Sequence, residues 1–192
     1  MRRLARIAVA AAVAGMALSA PAFAGRSELV FGVGRTLAVK DGPGGGGVSL
    51  EGSVLWPVED RFRIGMMGFL TGLGERTDRL IGGGGTDLGP IAGSHRAAQG
   101  VALRLEAHAR TGHRLGPYLA ATWGFYRVED DVRGTLLQAD DAVGFGLGLG
   151  LMRSLNDHHA AGVAVRGQQL SRAGEGYVTA AFEWRWGMGA GD

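Results

Sequence analysis

The 192-residue sequence contains no cysteine, and Lys40 is its only lysine. The missing cysteines exclude disulfide bonds, thiolate catalysis and cysteine-ligated metal sites. Beyond residue 24 the chain has no run of about 18 apolar residues, which excludes a transmembrane helix there. The other basic residues are arginines, which keep their charge when partly desolvated and form forked ion pairs. Arginine therefore suits enclosed polar sites.

The N-terminal segment 1–24 has the three parts of a cleavable secretory signal peptide. It has arginines at positions 2, 3 and 6, a short apolar run at 7–18, and the cleavage motif AFA at 22–24. Three of the 20 basic residues and none of the 18 acidic ones lie in this segment, so the remainder has a net charge of −1. This balance gives no reason to expect a nucleic acid partner.

Alternation of apolar and polar residues recurs through the rest of the chain and predicts β-strands with two different faces. The segment AVGFGLGLGLMRSL at 142–155 is the clearest case, because every second residue from Gly144 to Gly150 is glycine. The eight predicted strands cover 28–39, 47–57, 61–71, 99–110, 115–128, 142–155, 159–170 and 177–188.

The predicted connections alternate between short and long. Short turns lie at 58–60, 111–114 and 154–158, and longer loops lie at 40–46, 72–98, 129–141 and 171–176. This asymmetry is typical of outer-membrane barrels, whose short turns are periplasmic and whose longer loops face outward. Strands of about 9–11 residues can span a bilayer, and lipid requires the sheet to close on itself. We predict an all-β fold, an eight-stranded antiparallel up-and-down transmembrane β-barrel over 25–192 in the outer membrane.

The glycine stripe fits the interior of such a barrel. The apolar residues between the glycines would face lipid, while the glycines would leave space for arginine and tyrosine side chains from other strands. A soluble glycine-rich sandwich or lipocalin-like barrel would reverse the two faces. The signal peptide, the loop asymmetry and tryptophans near strand ends favour the membrane orientation.

A set of polar residues falls on the predicted inward face of the strands. Charges inside a narrow barrel are costly unless they pair, so we expect an ion-paired plug, with a narrow small-solute pore as the alternative. Arg35 falls on the outward face, which places it at the outer headgroup level or beside a bulge that shifts the register. The predicted interior network is Glu51, Arg63, Arg104, Glu106, His108, Arg110, Arg166, Glu183 and Arg185.

The last predicted strand carries the motif TAAFEWRW at 179–186. With the strand pattern over 25–192, it resembles the eight-stranded outer-membrane β-barrel superfamily of the OmpA and OmpX type. The resemblance implies an insertion signal formed by Thr179, Ala181, Trp184 and Trp186 and read by the barrel-assembly machinery. Two features depart from the family pattern: Ala181 stands where glycine is usual, and GMGAGD follows the last aromatic residue. The resemblance also implies a porin-like Gram-negative monomer in contact with outer-membrane lipid and lipopolysaccharide.

Some small barrels of this kind modify lipid A, and a Ser/His/Asp arrangement could perform such acyl chemistry. No local motif connects the candidates, so we predict a non-enzymatic barrel with a structural or surface-interaction role and no cofactor. A lipid A acyl hydrolase or transferase is the alternative. We expect no metal at His158 and His159, because adjacent strand residues point to opposite faces. The candidates for acyl chemistry, in the predicted outer loops, are Ser94, His95, Asp130, Asp131, Asp140 and Asp141.

Overall fold

The computed structural model describes residues 27–39, 46–75, 79–81, 87–90, 94–109, 115–132, 135–171 and 176–188. The predicted signal peptide, 1–24, lies outside these ranges. Within them, no helix is long and apolar enough to cross a membrane. The strands are β1 (Ser27–Ala38), β2 (Gly47–Pro57), β3 (Phe62–Glu75), β4 (Arg79–Ile81), β5 (Asp87–Pro90), β6 (Ser94–His108), β7 (Leu115–Val132), β8 (Thr135–Ser154), β9 (His159–Leu170) and β10 (Gly176–Met188).

Eight of these strands form one closed barrel in the order β1-β10-β9-β8-β7-β6-β3-β2. Every neighbouring pair is antiparallel, and β1 closes the barrel by pairing with both β2 and β10. The short strands β4 and β5 pair with each other outside the barrel, between β3 and β6. The predicted all-β, eight-stranded antiparallel fold is confirmed.

Burial alternates along the strands as the sequence pattern predicts. In β8, Phe145, Leu147 and Leu149 are exposed on the outer surface, while Gly144 and Gly146 are buried. Large apolar side chains therefore cover the outside of the barrel, and the charged side chains that are buried lie inside it. This arrangement is the reverse of a soluble barrel.

Two of the predicted long loops are wrong in their extent. Residues 129–132 and 135–141 are strand rather than loop, because β7 continues to Val132 and β8 begins at Thr135. The predicted loop 72–98 is also shorter, since β3 continues to Glu75 and β6 begins at Ser94. A bulge interrupts the β3–β6 pairing at Gly72 and Gly74, where Gly74 has a φ of 99° that favours glycine. The alternation weakens in these polar extensions, although their backbones remain paired.

The register of β1 is continuous against both of its neighbours. Arg35 lies opposite Val48 on β2 and Ala180 on β10, and no bulge occurs within β1. Its side chain is exposed on the outward face, on the same side as Val33 and Leu37. Of the two explanations for Arg35, the structure therefore excludes the shifted register.

Candidate functional site

The inner half of the barrel, next to the short turns, encloses a continuous chain of ion pairs. Positive and negative side chains alternate along it, and each is in contact with the next. The four arginines balance the four glutamates, so this chain of ion pairs has no net charge. In order of contact it runs Arg63, Glu28, Arg185, Glu106, Arg104, Glu183, Arg166 and Glu51.

Glu106 lies between two arginines from different strands. Arg185 on β10 donates to both of its carboxylate oxygens, at 2.7 and 2.9 Å. Arg104, two residues away on β6, lies 2.6 Å from Oε1. His108 Nε2 lies 2.8 Å from Oε2, on the side of the short turns. Since Glu106 is buried, these contacts replace the hydration that a buried carboxylate loses.

Glu183 lies within the chain of ion pairs and contacts three of its arginines, Arg104, Arg166 and Arg185. Its Oε1 accepts hydrogen bonds from Arg104 Nη2 and Arg166 Nη1, each at 2.9 Å. Its other oxygen accepts a hydrogen bond from the Tyr118 hydroxyl and lies 3.5 Å from Arg185 Nη2. The fully buried carboxylate of Glu183 thus connects strands β6, β7, β9 and β10 across the lumen.

The other half of the barrel interior, on the side away from the short turns, is the outer half. It is packed with apolar and aromatic side chains. Phe69 and Tyr126 contact each other with ring centroids 4.7 Å apart. Neutral hydrogen bonds also occur there: the Tyr126 hydroxyl donates to Gln168, whose amide donates to Thr122 Oγ1 at 2.9 Å. The apolar cluster of this half consists of Met67, Phe69, Leu73, Ala98, Ala102, Tyr126, Val128, Ala142, Leu170 and Tyr177.

The glycine stripe of β8 provides the space for these side chains. A Cβ atom on Gly148 would overlap the Arg166 side chain, and one on Gly150 would overlap the Tyr118 ring. In the outer half, a Cβ atom on Gly144 would lie 2.7 Å from Leu170 Cδ2. Such distances are too short for ordinary contacts, so the interior is filled up to the backbone of β8.

Eight of the nine residues of the predicted interior network lie on or beside this chain of ion pairs, with His108 as a side branch. Arg110 lies outside the described residues. The prediction omitted Glu28, which bridges Arg63 and Arg185, and the Tyr118 hydroxyl. Both positions have inward parity in their strands, so the alternation could have identified them.

The outer surface of the barrel is an apolar belt with polar limits. On β7 the outward residues are apolar from Leu115 to Phe125, and Arg127 is the next outward residue. Ten steps of about 3.3 Å along a tilted strand give a belt of roughly 25 Å, the height expected for a membrane barrel. Aromatic side chains lie near both limits, with Trp184 and Trp186 towards the short turns and Phe125 towards the other end.

No protein-family model matches the sequence, and no curated protein matches it either. Solved structures do resemble the fold. Neisserial surface protein A matches with a TM-score of 0.62 and 11% identity, over 84% of this chain and 95% of that one. Ail, the attachment invasion locus protein of Yersinia pestis, matches with 0.54 and 11% identity, over 85% and 99% of the two chains. The outer membrane protein OprG from Pseudomonas aeruginosa matches with 0.52 and 12% identity, over 85% and 94%.

The chain has the fold of the eight-stranded outer-membrane β-barrels. At these identities the likeness concerns the fold, so the roles of individual residues depend on the geometry of this chain. The predicted resemblance to the OmpA and OmpX type is confirmed at the level of the fold.

In this outer-membrane barrel fold, the four residues of the predicted insertion signal alternate across β10. Thr179 and Ala181 are buried on the inward face, while Trp184 and Trp186 are exposed on the outward face. Thr179 shares a 3.0 Å hydrogen bond with Thr36 on β1. Ala181 lies opposite Gly34, where a Cβ atom would lie only 2.8 Å from the Ala181 Cβ. Gly34 therefore leaves the space that the Ala181 methyl group occupies.

The residues considered for acyl chemistry are held by other partners in this barrel. Asp130 accepts two hydrogen bonds from Arg96, at 2.7 and 3.1 Å. Asp140 accepts from the Gln138 amide at 2.8 Å, and Asp141 lies 3.9 Å from Arg127. All of these aspartates belong to β7 and β8, which corrects their predicted place in a loop.

The remaining candidates are His95 and Asp131, which occupy directly opposite positions on β6 and β7. The Ser94 side chain is outside the described part of the structure.

At the 154–158 turn, Asn156 Oδ1 accepts hydrogen bonds from the backbone N–H groups of His158 and His159. Within the described residues, no group of three or more His, Asp or Glu side chains is arranged to hold a metal ion.

Proposed function

We propose that the chain is a monomeric outer-membrane barrel that is closed to solutes, with a structural or surface-contact role. The observation that supports this proposal best is the way the interior is filled. A neutral chain of ion pairs occupies the inner half, and a packed apolar cluster occupies the outer half. An eight-stranded barrel has room for little more than its own side chains.

Each half blocks solutes for a different physical reason. In the inner half, an entering ion would have to separate Glu106 or Glu183 from arginines that lie within 3 Å. In the outer half, an ion would have to leave water to pass Phe69, Leu170 and Tyr177. The narrow-pore alternative therefore requires both halves to rearrange.

Planar-bilayer recording of the purified monomer tests the closed interior. We expect no sustained single-channel current, while a large porin recorded in the same bilayer as a positive control conducts through its aqueous channel. A stable current from the wild-type monomer would contradict the closed interior and support the pore.

Location in the outer membrane is supported by the apolar belt and by the fold of the structural neighbours. The mature protein is expected in the outer-membrane fraction. The mass of the intact polypeptide, measured by mass spectrometry, should correspond to a chain cleaved before Gly25. A barrel that resists unfolding in detergent should also change its electrophoretic mobility on boiling. Recovery as a soluble periplasmic protein would contradict this location.

A non-enzymatic role is supported by the contacts of the outer carboxylates, since Asp130 accepts two hydrogen bonds from the Arg96 guanidinium. Mass spectrometry of lipid A from cells with and without the gene should give the same acyl composition. A difference that disappears in the His95→Ala variant would support the acyl hydrolase or transferase instead.

Lipid and lipopolysaccharide are the proposed partners of the outward surface. Arg35 is exposed among apolar side chains and has no ion pair within the described residues. At the outer headgroup level its guanidinium would reach lipid phosphates, which it can bind with two parallel hydrogen bonds. Lipid A carries such phosphates.

The barrel-assembly machinery is the proposed partner of β10 during insertion. Trp186→Ala should slow the assembly of the barrel, because it removes the last outward aromatic residue of the strand. Phe31→Ala on β1 is a matched control, since it removes an equally exposed outward aromatic side chain outside the motif. Equal insertion rates for the two variants would argue against the use of TAAFEWRW as a signal.

A further inference from the structure

The outward face of the barrel carries an unpaired arginine at the short-turn limit of the apolar belt. The outward side chains of β8 are apolar and exposed from Phe145 to Leu151, and Arg153 is the next outward residue. Arg153 is exposed and has no ion pair within the described residues. An arginine at this depth can reach the headgroup level and bind a phosphate with two parallel hydrogen bonds.

The strand register places Arg153 beside a gap in the outward surface. Arg153 lies opposite Ala161 on β9, and Ala161 lies opposite Trp184 on β10. Adjacent strands are about 4.8 Å apart, so the backbones at Arg153 and Trp184 are roughly 10 Å apart. Only the methyl group of Ala161 lies between the two long side chains.

An aromatic cluster borders this gap on the side of β10 and the 154–158 turn. The ring centroid of His159 lies 5.4 Å from that of Trp184 and 6.4 Å from that of Trp186. Both tryptophans are exposed, at 39% and 46%. His159 Nδ1 is buried and has no hydrogen-bond partner, so Nε2 is the ring nitrogen that a ligand can reach.

These side chains suit a ligand that carries a phosphate and an ammonium group close together. Arg153 is the cation for the phosphate, and the faces of the indole rings attract an ammonium group. Towards the middle of the belt, the next outward row across the same three strands is apolar and exposed. This row, Leu151, Val163 and Phe182, can hold acyl chains.

We propose that Arg153, His159, Ala161, Trp184 and Trp186 form a binding site for one phospholipid with an ethanolamine-type headgroup. Its phosphate is held by Arg153 and His159 Nε2 above the Ala161 methyl group, and its ammonium group lies against the indole of Trp184. The position of this headgroup site in the periplasmic leaflet rests on the proposed outer-membrane location, because the short turns of such barrels are periplasmic.

Native mass spectrometry of the barrel in detergent micelles tests the headgroup site without any substitution. The probe is phosphatidylethanolamine, compared with phosphatidylglycerol and diacylglycerol of the same acyl chains. The wild type should bind the probe about threefold more tightly than phosphatidylglycerol, which lacks the ammonium group, and at least about tenfold more tightly than diacylglycerol, which also lacks the phosphate. Equal or tighter binding of either comparison lipid would overturn the proposed ligand.

Substitutions then locate the site on the barrel. Arg153→Gln should weaken binding of phosphatidylethanolamine about tenfold, while Arg61→Gln, at an exposed position on the same end of the barrel, is the matched control. Ala161→Leu fills the gap and should weaken binding by a similar factor. Val165→Leu, at an exposed outward position of the same strand, is its control. Unchanged binding by Arg153→Gln or Ala161→Leu would contradict the site.

His159→Phe tests the role of the reachable ring nitrogen. The substitution keeps an aromatic ring beside the two tryptophans and removes Nε2, so binding should weaken about threefold while the barrel still folds. Binding equal to that of the wild type would exclude His159 Nε2 from the phosphate contacts.

A labelling experiment distinguishes failure of the headgroup site from failure of the proposed location. Because the chain has no cysteine, Asp157→Cys creates a unique thiol in the exposed turn next to the site. A membrane-impermeant maleimide should label it only after the outer membrane is permeabilised. Labelling on intact cells would overturn the position in the periplasmic leaflet, while lipid binding in micelles would still report on the site itself.

Discussion

The two halves of the barrel interior are built by different chemistry on the same eight strands. Next to the short turns, Arg104, Glu106, Glu183 and Arg185 are buried and held by ion pairs with two or more partners. Towards the other end, Leu170 and its neighbours pack without charges. The strand backbone continues through both halves, so the difference lies in the inward side chains.

This difference determines how each half responds to a lost side chain. Removing one member of a buried ion-paired chain leaves its partners charged, desolvated and unpaired. Removing an apolar side chain leaves a cavity, whose cost depends on how far the neighbours can relax. The inner half should therefore be the more sensitive of the two to single substitutions.

Glu106→Ala should have the largest effect, because it leaves Arg104 and Arg185 without their shared carboxylate. We expect a loss of about 3–5 kcal/mol in the free energy of unfolding, measured by urea denaturation in lipid vesicles. Asp157→Ala, in an exposed turn, is the control and should change stability by less than about 0.5 kcal/mol. Similar losses for both variants would show that the ion pairs do not stabilise the inner half.

Leu170→Ala tests the outer half. The side chain is fully buried in the apolar cluster, so its truncation should cost about 3 kcal/mol through lost burial and a residual cavity. The same urea titration measures this loss, and Leu155→Ala, at an exposed position, is the control. If Leu170→Ala were more damaging than Glu106→Ala, the order of the two halves would be reversed.

Gly148→Ala acts on the glycine stripe, where the methyl group would overlap the Arg166 side chain and displace it from Glu183. We expect a loss of about 1–3 kcal/mol, typical of overpacking. Gly167→Ala is a matched control, because a Cβ atom there meets nothing within 4 Å. Equal stability of the two variants would mean that the interior can make room for the methyl group.

Arg35→Ala should have the smallest effect, since this charge lies on the outward face without an ion pair among the described residues. In phospholipid vesicles we expect a change below about 0.5 kcal/mol. Adding lipopolysaccharide should stabilise the wild type against urea more than this variant. An equal shift for both would argue against phosphate binding at Arg35 and leave the interior comparison unchanged.

Much of the interior followed from alternation alone. Glu106, Arg166 and Glu183 could be placed inside the barrel because side chains of a strand change faces at every residue. The same rule applied to Glu28 and Tyr118, although these positions were not included in the predicted network. The extent of β7 and β8 was missed because polar residues such as Asp130 and Asp140 obscured the two faces.

The sequence by itself determined the strands, their two faces and the even number needed for closure, because these depend on local periodicity and on the requirement that backbone groups be paired. Only the tertiary structure decided which charges meet, since contacts such as Arg104 with Glu183 join residues 79 positions apart and depend on strand register. It also decided that β8 pairs with β7 from Thr135 onwards, whereas its pairing with β9 begins only at Gly144. Pairing between strands is a relation between distant segments, which no local pattern records.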